Sequence, residues 1–376
     1  MINKGENYSP FFYLYYMKSK LKLATVAGID IFIHWTFLLL IGFIVYTNKK
    51  AGYNQTQIAW SVLFISFVFI TVLLHELGHA MAARRFNIKT RDITLLPIGG
   101  LARLEKMPEK PWEELVVAIA GPAVNIVLAA ITSLFISIPE PEAFIEQLSN
   151  GVNASNFFLN FFVVNLVLAF FNLLPAFPMD GGRVFRALLS LKLKRTTATN
   201  IAAMVGQFVA VLFVLFGFKN SPTLIFIGIF IFLGARSEAK YTEMDSLLKG
   251  FKVKDILMQQ FQKIDASEPI RNAVSMLLNG QIKNFLVIEN NKVAGTLSRD
   301  DIIKCLNEGG NEALVSSAMN KNLLYVDANW KLAEAWKKIQ EHDAAIVPVH
   351  ENGAFVGVLD TENILEFIMV RQAEEA

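Results

Sequence analysis

Two histidines stand four residues apart in His75-Glu76-Leu77-Gly78-His79, with a glutamate directly after the first. On a helix, residues four apart share a face, so both imidazoles can grip one metal ion. Glu76 borders that face, where it can take a proton from a water that zinc has acidified to a pKa of about 7. The pentapeptide alone is only moderately specific. Its setting adds weight: the chain has five histidines, and these two close a long apolar run, where ionisable side chains are costly and serve function. Two histidines and a water leave one zinc position to fill. The remaining histidines are poorly placed for it, since His34 falls in the first apolar span and His342 and His350 belong to a soluble repeat.

Among the few carboxylates near the apolar runs, Asp180 stands out. It follows Asn172-Leu173-Leu174-Pro175-Ala176-Phe177-Pro178-Met179 and precedes Gly181-Gly182-Arg183. Two prolines and two glycines thus break a span where the aspartate appears. Broken backbone at membrane depth is tolerated only when buried in protein or lining a water-filled cavity. An unwound segment also frees Asp180 to face inward.

The elements that must carry these residues follow from composition. Of 376 residues 53% are hydrophobic and only 18% charged, with a mean hydropathy of +0.41. Soluble domains carry about a quarter charged residues, so the apolar excess points to lipid. A net charge of +2, without basic clusters interleaved with aromatics, argues against a nucleic-acid partner. A single cysteine, Cys305, excludes an intramolecular disulfide framework or a cysteine-rich metal site. The segment from Met1 to about Lys22 lacks the order of a signal peptide. Spans of about 20 apolar residues are expected near Ile31–Thr47, Ala59–Leu77, Leu115–Ile138, Phe157–Leu174, Ile201–Phe218 and Thr223–Gly234. The last is short enough to be a soluble core helix instead.

Lysine and arginine collect on the cytoplasmic side of membranes. Lys18, Lys20 and Lys22 precede the first span; Arg84, Arg85, Lys89 and Arg91 follow the second; Arg183, Arg186, Lys192, Lys194 and Arg195 follow the fourth. The loop after the third carries Glu140, Glu142 and Glu146 and no basic residue. Six spans then place both termini in the cytoplasm, with Lys49 and Lys50 discordant. The same topology brings the exits of spans two and four, and so His79 and Asp180, to one depth. Beyond Arg236 the composition turns soluble and repeats itself: Asp265-Ala266 recurs as Asp327-Ala328, Gly295 as Gly357 and Ile302 as Ile364, at one constant offset. Each unit reads as a short strand, an amphipathic helix, two strands about a turn and a closing helix. The expected architecture is a polytopic α-helical membrane domain (residues 1–240) followed by a soluble α/β pair (241–376, with units at about 252–310 and 315–370).

With these residues in place, the chain resembles the site-2 proteases, the intramembrane zinc metalloprotease family. The matching positions are His75, Glu76 and His79, then Asn172, Pro175, Asp180 and Gly181. The resemblance implies Asp180 as third zinc ligand and Glu76 as general base. Gly121-Pro122-Ala123-Val124-Asn125 is similar to a further family element. Asn125, and with it Asn172, is a candidate for contact with substrate or oxyanion; the alternative for Asn125 is helix packing beside Gly121, with its amide bonded to a neighbour. Ile93–Leu104, around Pro97-Ile98-Gly99-Gly100, reads as two strands about a glycine turn. It is either a plain cytoplasmic hairpin or, as in the family, an edge that receives an unwound substrate helix.

The soluble repeat resembles a tandem pair of CBS domains over about Val253–Ile368. Such pairs often bind ATP, ADP or AMP, and Ser298 and Asp301 match the ribose-binding positions. Asp360 and Asn363 replace them in the second unit, which puts a second site in doubt. A homodimerisation module without ligand is the alternative. The expected protein is therefore a multi-pass cell-membrane zinc endopeptidase, with both termini and the CBS pair cytoplasmic, that cuts membrane-spanning proteins within or near their spans in regulated intramembrane proteolysis. A CBS-gated transporter, a non-catalytic scaffold and a prenyl-protein protease compete with it. A transporter has no reason to place Glu76 between two ligands, and a prenyl-protein protease would use a helical downstream glutamate instead of Asp180.

Overall fold

Asn54 and Gln57 open the helix that carries the histidine pair. The Asn54 carboxamide oxygen accepts from the Gln57 backbone N–H, and the Gln57 side chain accepts from the Asn54 N–H, each at 2.9 Å. This reciprocal cap satisfies two of the orphan donors of a helix start. The helix then runs unbroken through Arg85, about 46 Å at 1.5 Å per residue and well beyond the hydrocarbon thickness of a bilayer. In this computed structural model, residues 20–375 are described, apart from residues 98, 106, 138, 281 and 282. The N-terminal segment through residue 19, including Lys18, lies outside them, as do Ile98 of the hairpin turn and Ile138 of the third expected span.

The chain divides into two units, Met1–Thr242 and Glu243–Ala376. The first contains β1 (Lys20–Val26), β2 (Ile29–His34), α1 (Thr36–Lys50), α2 (Gln55–Arg85), β3 (Thr90–Leu96), β4 (Gly99–Leu104), α3 (Pro111–Ser133), α4 (Pro141–Ser149), α5 (Phe157–Asn172), α6 (Asp180–Ser190), α7 (Arg195–Asn220) and α8 (Pro222–Leu248), whose last turn enters the second unit. Among the described residues α2, α3, α7 and α8 are long and apolar enough to cross a membrane, and α5 is a shorter apolar helix. Apolar side chains such as Leu63, Phe67, Ile70 and Leu74 on α2 are left exposed, as lipid-facing side chains are.

Two expected spans differ from the structure. The first, Ile31–Thr47, is not one helix: Ile29–His34 is a strand, and helix begins only at Thr36. The β-branched residues Ile29, Ile31 and Ile33 alternate with other side chains, a period-2 pattern that suits a pleated surface better than a helix. His34 therefore ends a strand and does not sit within a span. The sixth, Thr223–Gly234, is the first half of a 27-residue helix. Alanine, glutamate, lysine and methionine after Gly234 sustain a helix, so the polar turn in composition marks the end of apolar sequence and not of the element.

The four strands form one sheet in the order β1-β2-β3-β4. β2 and β3 pair in parallel, joined by the crossover through α1 and α2, while the outer pairs are antiparallel. β4 is an edge strand. A register shift between Thr90 and Ile93 lets Asp92 reach Arg103 of β4, which donates to it from two nitrogens.

The second unit holds two three-stranded sheets built alike. In the first, β5 (Lys263–Asp265) leads through α9 (Ile270–Gly280) to the parallel β6 (Asn284–Glu289), which pairs antiparallel with β7 (Lys292–Ser298). In the second, β8 (Val326–Asp327), β9 (Ile346–Glu351) and β10 (Ala354–Asp360) repeat that order. The equivalent bulges fall at Ala294 and Val356, beside Gly295 and Gly357, which pair with Val287 and Val349. Each sheet has its own apolar core, one on Ile264, Ile270, Phe285 and Ile302 and the other on Val326, Leu332, Val347 and Ile364.

Candidate metal centre

The buried stripe of α2 steps by four from Thr71 through His75 and His79 to Ala83. It faces α3, and the end of the broken segment after α5 meets it there. The Nε2 atoms of His75 and His79 lie 3.1 Å apart, and Asp180 Oδ2 lies 3.1 Å from the first and 3.0 Å from the second. Tetrahedral zinc with bonds near 2.0–2.1 Å would hold such atoms about 3.3 Å apart. All three residues are buried. Among the described residues, this is the one group of three or more metal-ligating side chains whose donor atoms converge.

The far side of each imidazole decides which nitrogen can ligate. His79 Nδ1 is 2.7 Å from the Val117 carbonyl oxygen, which can only accept, so Nδ1 carries the hydrogen and Nε2 presents its lone pair. His75 Nδ1 is placed in the same way, 2.6 Å from Asn125 Oδ1. Two lone pairs and a carboxylate oxygen then converge with no hydrogen between the nitrogens, an arrangement that a cation resolves. The donor set of two imidazoles and one carboxylate, with further coordination left open, suits zinc.

Small residues make this approach possible. A methyl group on Gly121 would lie 2.2 Å from His79 Nε2 and 2.7 Å from His75 Nε2, and one on Gly78 would lie 2.8 Å from the Ala120 carbonyl oxygen. On the other side of the centre, Asp180 opens α6, and the acidic side chain suits that helix end. Methyl groups on Gly181 or Gly182 would come within 2.1 to 2.7 Å of the backbone of Leu173, Leu174, Ala176 and Phe177. The first turn of α6 thus packs directly on the broken segment.

Glu76, half-buried, points toward β4. Its Oε2 accepts a hydrogen bond from the Ala102 backbone N–H at 3.1 Å, and a methyl group on Gly100 would strike its Cγ at 2.6 Å. Asn125 is completely buried, with its oxygen on His75 and its nitrogen 3.4 Å from Asn165 Oδ1. Asn172 donates instead to the Leu168 carbonyl of its own helix at 2.9 Å. His342 accompanies the Lys338 carbonyl; neither it nor His34 or His350 belongs to the cluster. In the second unit, Ser298 and Asp301 form a capping box: Ser298 Oγ donates to Asp301 Oδ2 at 2.6 Å and accepts from the Asp301 N–H at 3.2 Å. At the equivalent positions Asp360 accepts from Asn284, and Asn363 donates to the Ile256 carbonyl.

Sequence reasoning missed the Val117 carbonyl, the Asn165 contact and one charged group. Arg186, counted above as a loop charge, is buried in α6 against Glu114 of α3. A glutamate in the first turn of an apolar helix is the signal that could have pointed to it.

Residues 63–216 match peptidase family M50, and residues 253–308 and 315–370 each match the CBS domain. A zinc metalloprotease of Methanocaldococcus jannaschii is 31% identical over 363 residues, spanning 96% of this chain and 99% of its own. The stage IV sporulation protein FB of Bacillus subtilis is 34% identical over 127 residues, 34% of this chain and 40% of its own. The solved site-2 protease from Methanocaldococcus jannaschii is 33% identical and overlaps 58% of this chain and 95% of its own, with a TM-score of 0.43. The chain belongs to peptidase family M50, the site-2 proteases, as a polytopic membrane metalloendopeptidase that carries a tandem CBS pair.

Proposed function

We propose that this protein hydrolyses peptide bonds within or near the membrane-spanning segments of other proteins, at a centre made of His75, His79, Asp180 and Glu76. The observation that carries the reading is the convergence of His75 Nε2, His79 Nε2 and Asp180 Oδ2 at 3.0 to 3.1 Å, with Glu76 adjacent in sequence. These three side chains would hold zinc, which when bound polarises water and the scissile carbonyl. Glu76 takes the proton from the attacking water and delivers it to the leaving amine. Asn125 orients His75 through Nδ1, as outer partners of metal ligands do.

A transmembrane substrate hides its amides in intrahelical hydrogen bonds, so it must unwind before it can be cut. The edge strand β4, packed on Glu76, offers an extended template for the unwound stretch. The lysines and arginines that follow the expected second and fourth spans support a centre that faces the cytoplasm, with both termini and the CBS pair on that side. Glu76→Gln tests the reading directly. Purified variant that retains zinc but does not cleave a membrane-spanning substrate supports it, and undiminished cleavage refutes it.

At the CBS pair, the reading is an adenine nucleotide whose ribose hydroxyls meet Ser298 and Asp301. The hydroxyl and carboxylate stand together at the end of β7 and the start of α10 (Arg299–Gly309). Nucleotide occupancy would then regulate cleavage.

A further inference from the structure

Arg186 is the bulkiest of the fully buried side chains among the described residues, and the chemistry proposed above does not use it. Its Nε donates to Glu114 Oε1 at 2.9 Å, and a second nitrogen converges on the same oxygen. Nη1 donates to Glu238 Oε1 at 2.6 Å, and the guanidinium lies 4.9 Å from the ring centre of Phe177. Arg195 Nη1, which donates to the Pro108 carbonyl, also stands 3.0 Å from the other Glu114 oxygen as an ion pair. Arg186 thus supplies the hydrogen bonds to Glu114 Oε1, with Arg195 adding charge at Oε2. Charges buried in an apolar bundle are expensive unless they are paired and hydrogen-bonded, so a buried network of this size calls for a reason.

The reason lies in the face of α3 that Glu114 shares. Glu114, Val117, Gly121 and Asn125 follow at three- and four-residue steps and are all buried, which places them on one stripe. From that stripe the Val117 carbonyl accepts from His79, Asn125 accepts from His75, and Gly121 leaves room for both ligand nitrogens. The histidines are thus positioned by reference to α3. Asp180 comes from α6, and the Arg186–Glu114 pair ties α6 to the same stripe. Phe177, under the guanidinium, belongs to the broken segment that leads into Asp180, so one side chain grips both flanks of the third ligand.

We infer that Arg186, through Glu114, is a positioning residue that sets the reach of Asp180 Oδ2 toward the two imidazoles. The inference rests on the zinc-ligand reading above. Two N–H groups converging on one carboxylate oxygen fix direction as well as distance, which a lysine ammonium does less well.

The test uses the full chain purified in detergent, with zinc affinity read by competition against a chromophoric chelator. The visible spectrum of the cobalt(II)-loaded protein reports ligand geometry. Arg186→Gln and Glu114→Gln are expected to weaken zinc binding by up to about 10- to 100-fold, the effect of losing a group bonded directly to a ligand, and to alter the cobalt bands. Arg186→Lys should recover part of both, and it carries the test if Arg186→Gln does not fold. Variants that melt at lower temperature yet keep wild-type zinc affinity and cobalt spectrum would make Arg186 a purely structural ion pair and overturn the inference. Asp180→Ala, measured in parallel, separates the two claims. If it keeps wild-type zinc affinity, the ligand reading falls and the positioning role with it. If it loses zinc while the Arg186 and Glu114 variants do not, only the positioning role falls.

Discussion

Replacing Gly121 with alanine should disable the centre while leaving every proposed ligand in the sequence. The new methyl would stand 2.2 Å from His79 Nε2, 2.5 Å from His79 Cε1 and 2.7 Å from His75 Nε2. Non-bonded heavy atoms settle at about 3.5 to 4.0 Å, so the imidazoles or α3 must yield by roughly 1 Å. Metal centres tolerate deviations of about 0.2 Å in ligand distance. Overpacking of this kind costs about 1 to 3 kcal/mol. If the strain is released by displacing the ligand nitrogens, about 1.4 kcal/mol per decade turns it into a roughly 5- to 150-fold loss of zinc affinity. Gly78→Ala is the matched control. Its methyl would meet the Ala120 carbonyl oxygen and Val124 Cγ2, each at 2.8 Å, and neither belongs to a proposed ligand. Both variants crowd the α2–α3 contact, but the Gly121→Ala methyl is the one set against the Nε2 atoms of both histidines. Zinc titration and thermal melting of both should show comparable losses of stability and a zinc defect confined largely to Gly121→Ala. Equal zinc affinity in the two variants would refute the reasoning.

Other expectations follow from the same geometry. Asp180→Ala should leave the purified protein with little zinc, measured by atomic emission; full retention would favour a different third ligand, such as a helical glutamate. Asn125→Leu removes the acceptor at His75 Nδ1 and should weaken zinc binding about 10- to 100-fold, while Asn125→Asp, which keeps an acceptor there, should retain it. Lost cleavage with unchanged zinc affinity in Asn125→Leu would instead place the amide on the substrate. Ser298→Ala removes the cap of α10 at about 1 kcal/mol and should weaken AMP binding measured by calorimetry; unchanged binding would take Ser298 out of the nucleotide site.

The parts of this protein legible in the sequence are those where residue type conflicts with surroundings. Histidines and a glutamate at the end of an apolar run, and an aspartate among prolines and glycines in another, are costly placements that only chemistry or burial explains. The CBS pair was legible for a different reason, since Asp265-Ala266 and Gly295 return as Asp327-Ala328 and Gly357 and the sheets repeat in step with them. Where the surroundings themselves were ambiguous the reading drifted, as at Ile29–His34, whose apolar content suits a span and whose alternation suits the strand it forms.

What was not legible is how the centre is held, because much of the holding uses no distinctive side chain. Val117 contributes only a backbone carbonyl, available from any residue at that position, and Gly121 contributes the absence of a side chain. Arg186 was visible but misread. A basic residue after a span looks the same whether it meets lipid headgroups or a buried carboxylate, and only the position of Glu114 three residues before Val117, on the stripe that holds the histidines, separates the two. The proposed ligands therefore come from one short motif and one broken span. The precision of the site belongs to α3, a helix that supplies none of them.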